Sequence, residues 1–296
     1  MDNIRGAILM VIAMLGFAVE DTLIKLMATD IPSGQILMTI GLGGGLVFAT
    51  LALIKGEAPF GLWMLRGASG VRALCEGLAA LGFVTALALV PISLVTTIIQ
   101  ASPLLVTLGA AVFFKAPVGP RRWIAILIGL IGVLIVLRPF GDSFEAPALF
   151  AVGGVIAMSA RDLATRQVKQ NISTLQLSVV GFLAAVPAGF LGLVLSGDAP
   201  LLPSWYVVTL TIAAIAIGVP SLYCIIAAMR IGDIAFVTPF RYSRIIFGLL
   251  AGLVIFGETL DAYTLLGAAI IVISGTYTLL REARLRRTSQ TVKITV

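Results

Sequence analysis

The sequence predicts an all-α polytopic membrane protein: ten transmembrane helices arranged as two inverted-topology five-helix repeats. Three observations lead there. Of 296 residues, 59% are hydrophobic and only 11% charged, with a mean hydropathy of +1.11, whereas soluble domains carry about 25% charge. Glycine, proline and charge clusters cut the apolar sequence into ten stretches, each about long enough to cross a bilayer as a helix. Polar residues of the two halves also match when one half is slid along the other.

In chain order the expected spans are 6–27, 33–54, 71–90, 92–114 and 123–137, then 148–168, 174–196, 205–229, 234–256 and 262–280. The first begins after Arg5 and has no small-residue cleavage site, so it reads as a membrane helix rather than a removed signal peptide. The second holds Gly41, Gly43, Gly44 and Gly45, which suits close helix approach in lipid or the lining of a cavity. The ninth carries Arg241 and Arg244 close to its middle. A charged group at the bilayer centre costs roughly 2.5–3.5 kcal/mol on insertion scales, so both must face something polar. Their i, i+3 spacing puts them on one face. Pro239, one turn earlier, frees the carbonyl of Ala235 by removing a helical donor.

Charge distribution then sets the sides. With a cytoplasmic N-terminus, inner segments hold Arg5; Lys55, Arg66 and Arg72; Lys115, Arg121 and Arg122; Arg166 and Lys169; Arg230; and Arg281, Arg284, Arg286, Arg287 and Lys293. Outer loops hold Arg138 alone, beside Asp30, Asp142, Glu145, Asp198, Glu258 and Asp261. That asymmetry predicts N-in, C-in topology in a bacterial inner membrane, with the 138–147 and 257–262 loops outside. The net charge of +6 is thereby read as topology and not as affinity for nucleic acid.

The repeat reads as follows. A shift of 141 residues aligns Asp21 with Asp162, Lys25 with Arg166, Asp30 with Asn171 and Gln35 with Gln176. A shift of 142 aligns Val95-Thr96 with Val237-Thr238, Val112 with Val254 and Phe114 with Phe256. Five spans per half is an odd number, so the second half enters from the opposite side. The expected units are 1–141 and 142–296, the latter ending in a short basic tail. Two packings of similar halves give states open to either side around a site near the midplane.

Charged residues inside the spans are the candidate site, since intramembrane ionisable groups are functional candidates by default. Glu20 and Asp21 lie about 20 Å along the first helix and Arg241 and Arg244 about 11 and 15 Å into the ninth, at ~1.5 Å per residue. Arg161 and Asp162 take the repeat-equivalent places in the sixth. Glu76 sits one turn from Arg72, which allows an i, i+4 ion pair. Substrate binding is expected at Arg241, Tyr242, Ser243, Arg244 and Gln100. Coupling or gating is expected at Asp21, Glu20, Glu76, Arg161 and Asp162, with helix bracing, for instance Arg161 to Glu20, as the other reading. On the substrate reading, Arg244→Ala leaves stability nearly unchanged.

There is no histidine, and Cys75 and Cys224 lie in separate apolar runs. This excludes histidine-based metal sites, Cys–His nucleophiles and a disulfide framework. No phosphate loop or nucleophile elbow accompanies the carboxylates, so an enzyme is not expected, nor any cofactor. A non-transporting sensor or assembly partner is the other class.

Pro91-Ile-Ser-Leu-Val, Ser102-Pro-Leu, Arg122-Trp123, Gly132-Val-Leu-Ile-Val-Leu-Arg-Pro139, Pro239-Phe-Arg-Tyr-Ser-Arg244, Phe256-Gly-Glu258 and Gly267–Gly275 carry a resemblance over nearly the whole chain. The chain resembles the EamA-type members of the drug/metabolite transporter superfamily. The family pattern ends the fourth helix of each repeat in Gly-Glu, and here the first repeat reads Lys115-Ala116 instead. The resemblance implies a ten-helix secondary transporter for amino acids, vitamins, nucleotide-like metabolites or drugs. The arginine pair suits a carboxylate or a carbonyl-rich planar ring, because guanidinium forks onto paired oxygens and stacks on π-faces. An amino acid or derivative fits, and so does a vitamin such as riboflavin. S-adenosylmethionine fits with its cation on Glu76 or Asp21, as does export of a drug or metabolite. Expected partners are the substrate and the bilayer, with homodimer formation left open.

Overall fold

The computed structural model describes residues 2–116, 118–139, 144–168, 172–231 and 233–294. Asp142, Lys169 and Asn171, used above for topology and repeat, lie outside them. Ten segments among the described residues are long and apolar enough to cross a membrane. The first half holds α1 (Asp2–Met27), α2 (Ser33–Ile54), α3 (Gly67–Leu89), α4 (Ile92–Ile99), α5 (Ser102–Phe114) and α6 (Pro120–Leu137). The second holds α7 (Ala148–Thr165), α8 (Thr174–Ser196), α9 (Trp205–Ile231), α10 (Ile234–Val237), α11 (Ser243–Ile255) and α12 (Ala262–Ile294).

The fourth and ninth spans are broken. The fourth consists of α4 and α5, interrupted at Gln100 and Ala101, with Pro103 in the first turn of α5. The ninth consists of α10 and α11 joined by a 3-10 segment, Thr238–Tyr242, that contains Pro239. Proline removes a donor and its ring crowds the preceding turn. It does not suffice to break a helix, because Pro187 and Pro220 lie inside the unbroken α8 and α9. The two breaks meet: the Gln100 side-chain amide donates to the Arg241 carbonyl at 2.8 Å. Each break frees backbone groups that must find partners in a medium without water, and here one break supplies the other.

Long helices pack in pairs, α1 on α9, α2 on α8, α3 on α7 and α6 on α12, while α4 packs on α11. The main apolar core runs between the halves, through Met27, Ile36, Leu87, Ile92, Val95 and Val155. Leu46, Phe113, Leu195 and Val254 are exposed, as on a surface that meets acyl chains. Close approach depends on glycine. A Cβ added at Gly82 of α3 would lie 2.6 Å from the Phe150 carbonyl oxygen and 2.9 Å from the Gly154 nitrogen of α7. In the second span, a Cβ on Gly41 would lie 2.8 Å from the Phe182 carbonyl oxygen of α8, so that glycine serves helix approach.

Gly82→Ala is therefore expected to cost about 1–3 kcal/mol through overpacking. Gly153→Ala, with open space where its Cβ would stand, should stay within about 0.5 kcal/mol of the parent. Melting temperatures in detergent test this, and equal melting of the two variants would refute the contact.

Candidate functional site

Around the crossing of the broken spans, the charged side chains fall into two groups with one guanidinium between them. In the first group Arg244, in the first turn of α11, reaches across to Asp21 of α1. Its Nε lies 3.1 Å from Asp21 Oδ2, and its Nη2 lies 2.8 and 2.7 Å from Oδ1 and Oδ2. The guanidinium also faces the rings of Phe17 and Phe83, 5.4 and 5.5 Å from their centroids. A planar cation held on a carboxylate and against aromatic faces is arginine's preferred setting.

The second group joins α3 and α7. Arg161 Nη1 donates to Glu76 Oε1 at 2.8 Å, while its Nε and Nη2 donate to Asp162 Oδ1 at 2.9 and 2.8 Å. Arg72 completes the network, with Nη2 3.3 Å from Glu76 Oε2 and further bonds to Thr165 Oγ1 and the Leu177 carbonyl. Arg161 thus braces α7 to α3 and not to Glu20. Side-chain exposure falls from 32% at Asp162 and 22% at Glu76 to 2% at Asp21. The charged side chains are thus more exposed toward the face from which α1 starts, hereafter the N-face.

Arg241 lies between these groups, with Asp162, Arg161 and Arg244 as its charged neighbours. Its guanidinium makes no hydrogen bond or ion pair among the described residues. Glu20 is the anionic counterpart. It has no such partner either and rests on α9, where a Cβ at Gly218 would meet its carboxylate oxygens at 2.7 and 2.8 Å. Tyr242 is buried with Ile245, Ala268 and Ile271 against α12, its hydroxyl without a hydrogen bond among the described residues. The Ser243 hydroxyl donates back to the Phe240 carbonyl at 2.8 Å. Gln100 is buried and spent on the Arg241 backbone. Of the expected site residues, the structure gathers Arg241, Gln100, Arg244, Asp21, Glu20, Arg161, Asp162 and Glu76 about one region and turns Tyr242 toward α12.

Sequence reasoning did not single out Phe17 and Phe83. Phe17 stands four residues before Asp21 and so on its face, a signal that was readable; nothing local marks Phe83. Lys25, one turn above Asp21, turns instead to the carbonyls of Leu87 and Val90, at 3.1 and 2.6 Å. No cluster of potential metal ligands occurs among the described residues.

Comparison with known proteins gives the setting. The model of the EamA-like transporter family matches this chain twice, over residues 4–138 and 146–280. A riboflavin transporter from Vibrio cholerae serotype O1 is 30% identical over 191 residues, 62% of this chain and 61% of that one. An S-adenosylmethionine uptake transporter from Rickettsia conorii is 25% identical over 186 residues, 63% of this chain and 62% of that one. The matched stretch thus spans about three fifths of each of these relatives. A solved structure described as "Crystal structure of protein" superposes with a TM-score of 0.59 at 18% identity, covering 92% of this chain and 97% of that one, a likeness of fold. With its model matched across both halves, the chain belongs to the EamA-like transporter family, a family of transporters and not of enzymes.

Proposed function

We propose that the protein is a secondary transporter that moves a small organic metabolite across a bacterial inner membrane by alternating access, with Arg241 as the principal substrate contact. The observation that carries this is the unpartnered guanidinium at the crossing of two broken helices. Discontinuous helices that free backbone groups are a recurring way to build a midplane site. The inverted repeat is supported by the pairing of helices: α1 on α9 is mirrored by α7 on α3. Gln35 holds the backbone of Leu201, and its repeat equivalent Gln176 holds that of Ala58.

The substrate we favour is a planar, carbonyl-bearing ring of the riboflavin kind. Its paired acceptors suit a guanidinium fork, and a relative of this chain is named a riboflavin transporter. Glu20 favours a second reading, an amino-acid zwitterion bearing a further cation such as S-adenosylmethionine, with carboxylate on Arg241 and cation on Glu20. Riboflavin and S-adenosylmethionine, each titrated into purified protein, separate the two, because a ligand that prefers the native state raises its melting temperature.

Arg241→Ala is expected to abolish the ligand-induced shift while leaving the unliganded melting temperature nearly unchanged, and Arg241→Lys should not restore it, since one ammonium cannot reproduce the fork. A full shift in Arg241→Ala would place the site elsewhere. Arg244, held by Asp21, should behave differently. Removing it strands a buried carboxylate and should cost roughly 3–5 kcal/mol, and Asp21→Asn added to Arg244→Ala should recover part of that loss. The two residues do not act as a pair if the double variant's loss, measured from the parent protein, equals the sum of the two single losses. For topology, Asp198→Cys should react with an impermeant thiol reagent on intact cells and Lys55→Cys only after permeabilisation; the reverse pattern would invert the orientation.

A further inference from the structure

The turn between α3 and α4 leaves two helix ends unsatisfied. α3 ends at Leu89, with Val90 extended beyond it, so carbonyls point out with no helical donor. α4 starts after Pro91, which has no side chain able to cap it. Each end gains a partner from elsewhere, of the charge that its dipole favours. Lys25 of α1 donates to the Leu87 and Val90 carbonyls. Glu258, after α11, accepts from the backbone N–H groups of Ile92 and Ser93 at 2.7 and 3.1 Å. Phe256 ties the two together, its ring centroid 5.4 Å from the Lys25 Nζ. A cavity of about 720 Å³ opens beside the same turn, lined by Lys25, Pro91, Phe144, Glu145, Phe256 and Glu258.

The backbone that delivers Glu258 occurs twice. Gly257 takes the left-handed conformation, φ 63°, and the Glu258 N–H returns to the Gly252 carbonyl at 2.9 Å. In the first half Lys115 takes the same conformation, φ 51°, and the Ala116 N–H returns to the Ala110 carbonyl at 3.1 Å. The turn is repeated but the carboxylate is not: Ala116 stands where Glu258 stands. On the N-face the first turn of α10 instead starts from its own Asp233, whose carbonyl accepts from Phe236 and Val237.

We infer that Lys25 and Glu258 are the latch of the face opposite the N-face: together they clamp the α3–α4 turn and keep the path to Arg241 shut on that side. Ala116 offers the N-face no carboxylate in the place of Glu258, and among the described residues the α9–α10 turn is held there by Asn3, whose Oδ1 accepts from the Asp233 N–H at 2.8 Å. The inference rests on the transport reading for its purpose, but its geometry can be tested without any substrate. The exposure gradient, from Asp162 to Asp21, agrees with a site that is open to the N-face and closed behind the latch.

The test is thiol accessibility. In purified protein freed of Cys75 and Cys224, Ser93→Cys places a thiol under the Glu258 cap, at a position now buried. Its reaction with a hydrophilic maleimide should be slow. Adding Glu258→Gln or Lys25→Met should speed it about tenfold or more, as a minor open state becomes populated, while both proteins keep a cooperative melting transition. Unchanged labelling in both variants would overturn the latch. Should one variant lose its melting transition, the other decides alone. Because no substrate is present, a failure of Arg241 to bind riboflavin leaves this result standing, and the two failures are read separately.

Discussion

The constraint on which the structure depends is that hydrocarbon offers no partner for a charge. Each ionised group left alone within a span costs several kcal/mol, so the placement of every such side chain decides which helices must touch. Asp21 and Arg244 fix α1 to α11. Glu76 and Arg161 fix α3 to α7. Among the described residues Lys25 has no carboxylate in reach of a hydrogen bond and takes the free carbonyls at a helix end instead. Buried pairs of this kind contribute little net stability, because desolvation offsets their attraction. Their effect lies in specificity, since a different helix pairing would strand both members.

The ten spans were legible because span length follows from bilayer thickness and needs no knowledge of neighbours. The charged candidates were legible for the same reason. Their partners were not. Helical period puts Arg161 on a face but says nothing of which helix lies opposite, and the expected brace to Glu20 gave way to Glu76, on α3, and to its own neighbour Asp162. The break in the ninth span had a signal in Pro239. The break at Gln100 had none that could be trusted, because Pro187 and Pro220 sit in continuous helices with similar apolar surroundings. What distinguishes the broken spans is the other break facing them, which is tertiary information.

Family membership accounts for the fold and the class of activity, while the particular substrate is written in few residues. Arg241 and Glu20 differ from the other buried charges described above in having no hydrogen-bond or ion-pair partner among the described residues, and they come from opposite halves of the chain. Tyr242, next to Arg241 in sequence, is turned into the α12 interface. On the proposed reading, adjacent residues on a 3-10 segment therefore serve different ends, Tyr242 packing and Arg241 recognition. A reading of the motif Pro-Phe-Arg-Tyr-Ser-Arg as a single binding unit would merge roles that the geometry separates.

On the proposed reading, the unpartnered guanidinium also explains how transport stays tied to substrate. An empty carrier that closed over Arg241 would seal an uncompensated charge from water, at a cost of several kcal/mol. A substrate that brings oxygens to the fork removes that cost, and so binds the closing state better than the open one. Differential binding of this sort is what a ligand needs in order to shift a conformational equilibrium. The latch sets where that equilibrium starts. Charge-assisted bonds contribute roughly 1.5–3 kcal/mol each, and Glu258 makes two of them where Ala116 makes none. On the latch reading, such a difference between repeated turns favours one face as the resting opening and leaves the other for the loaded carrier.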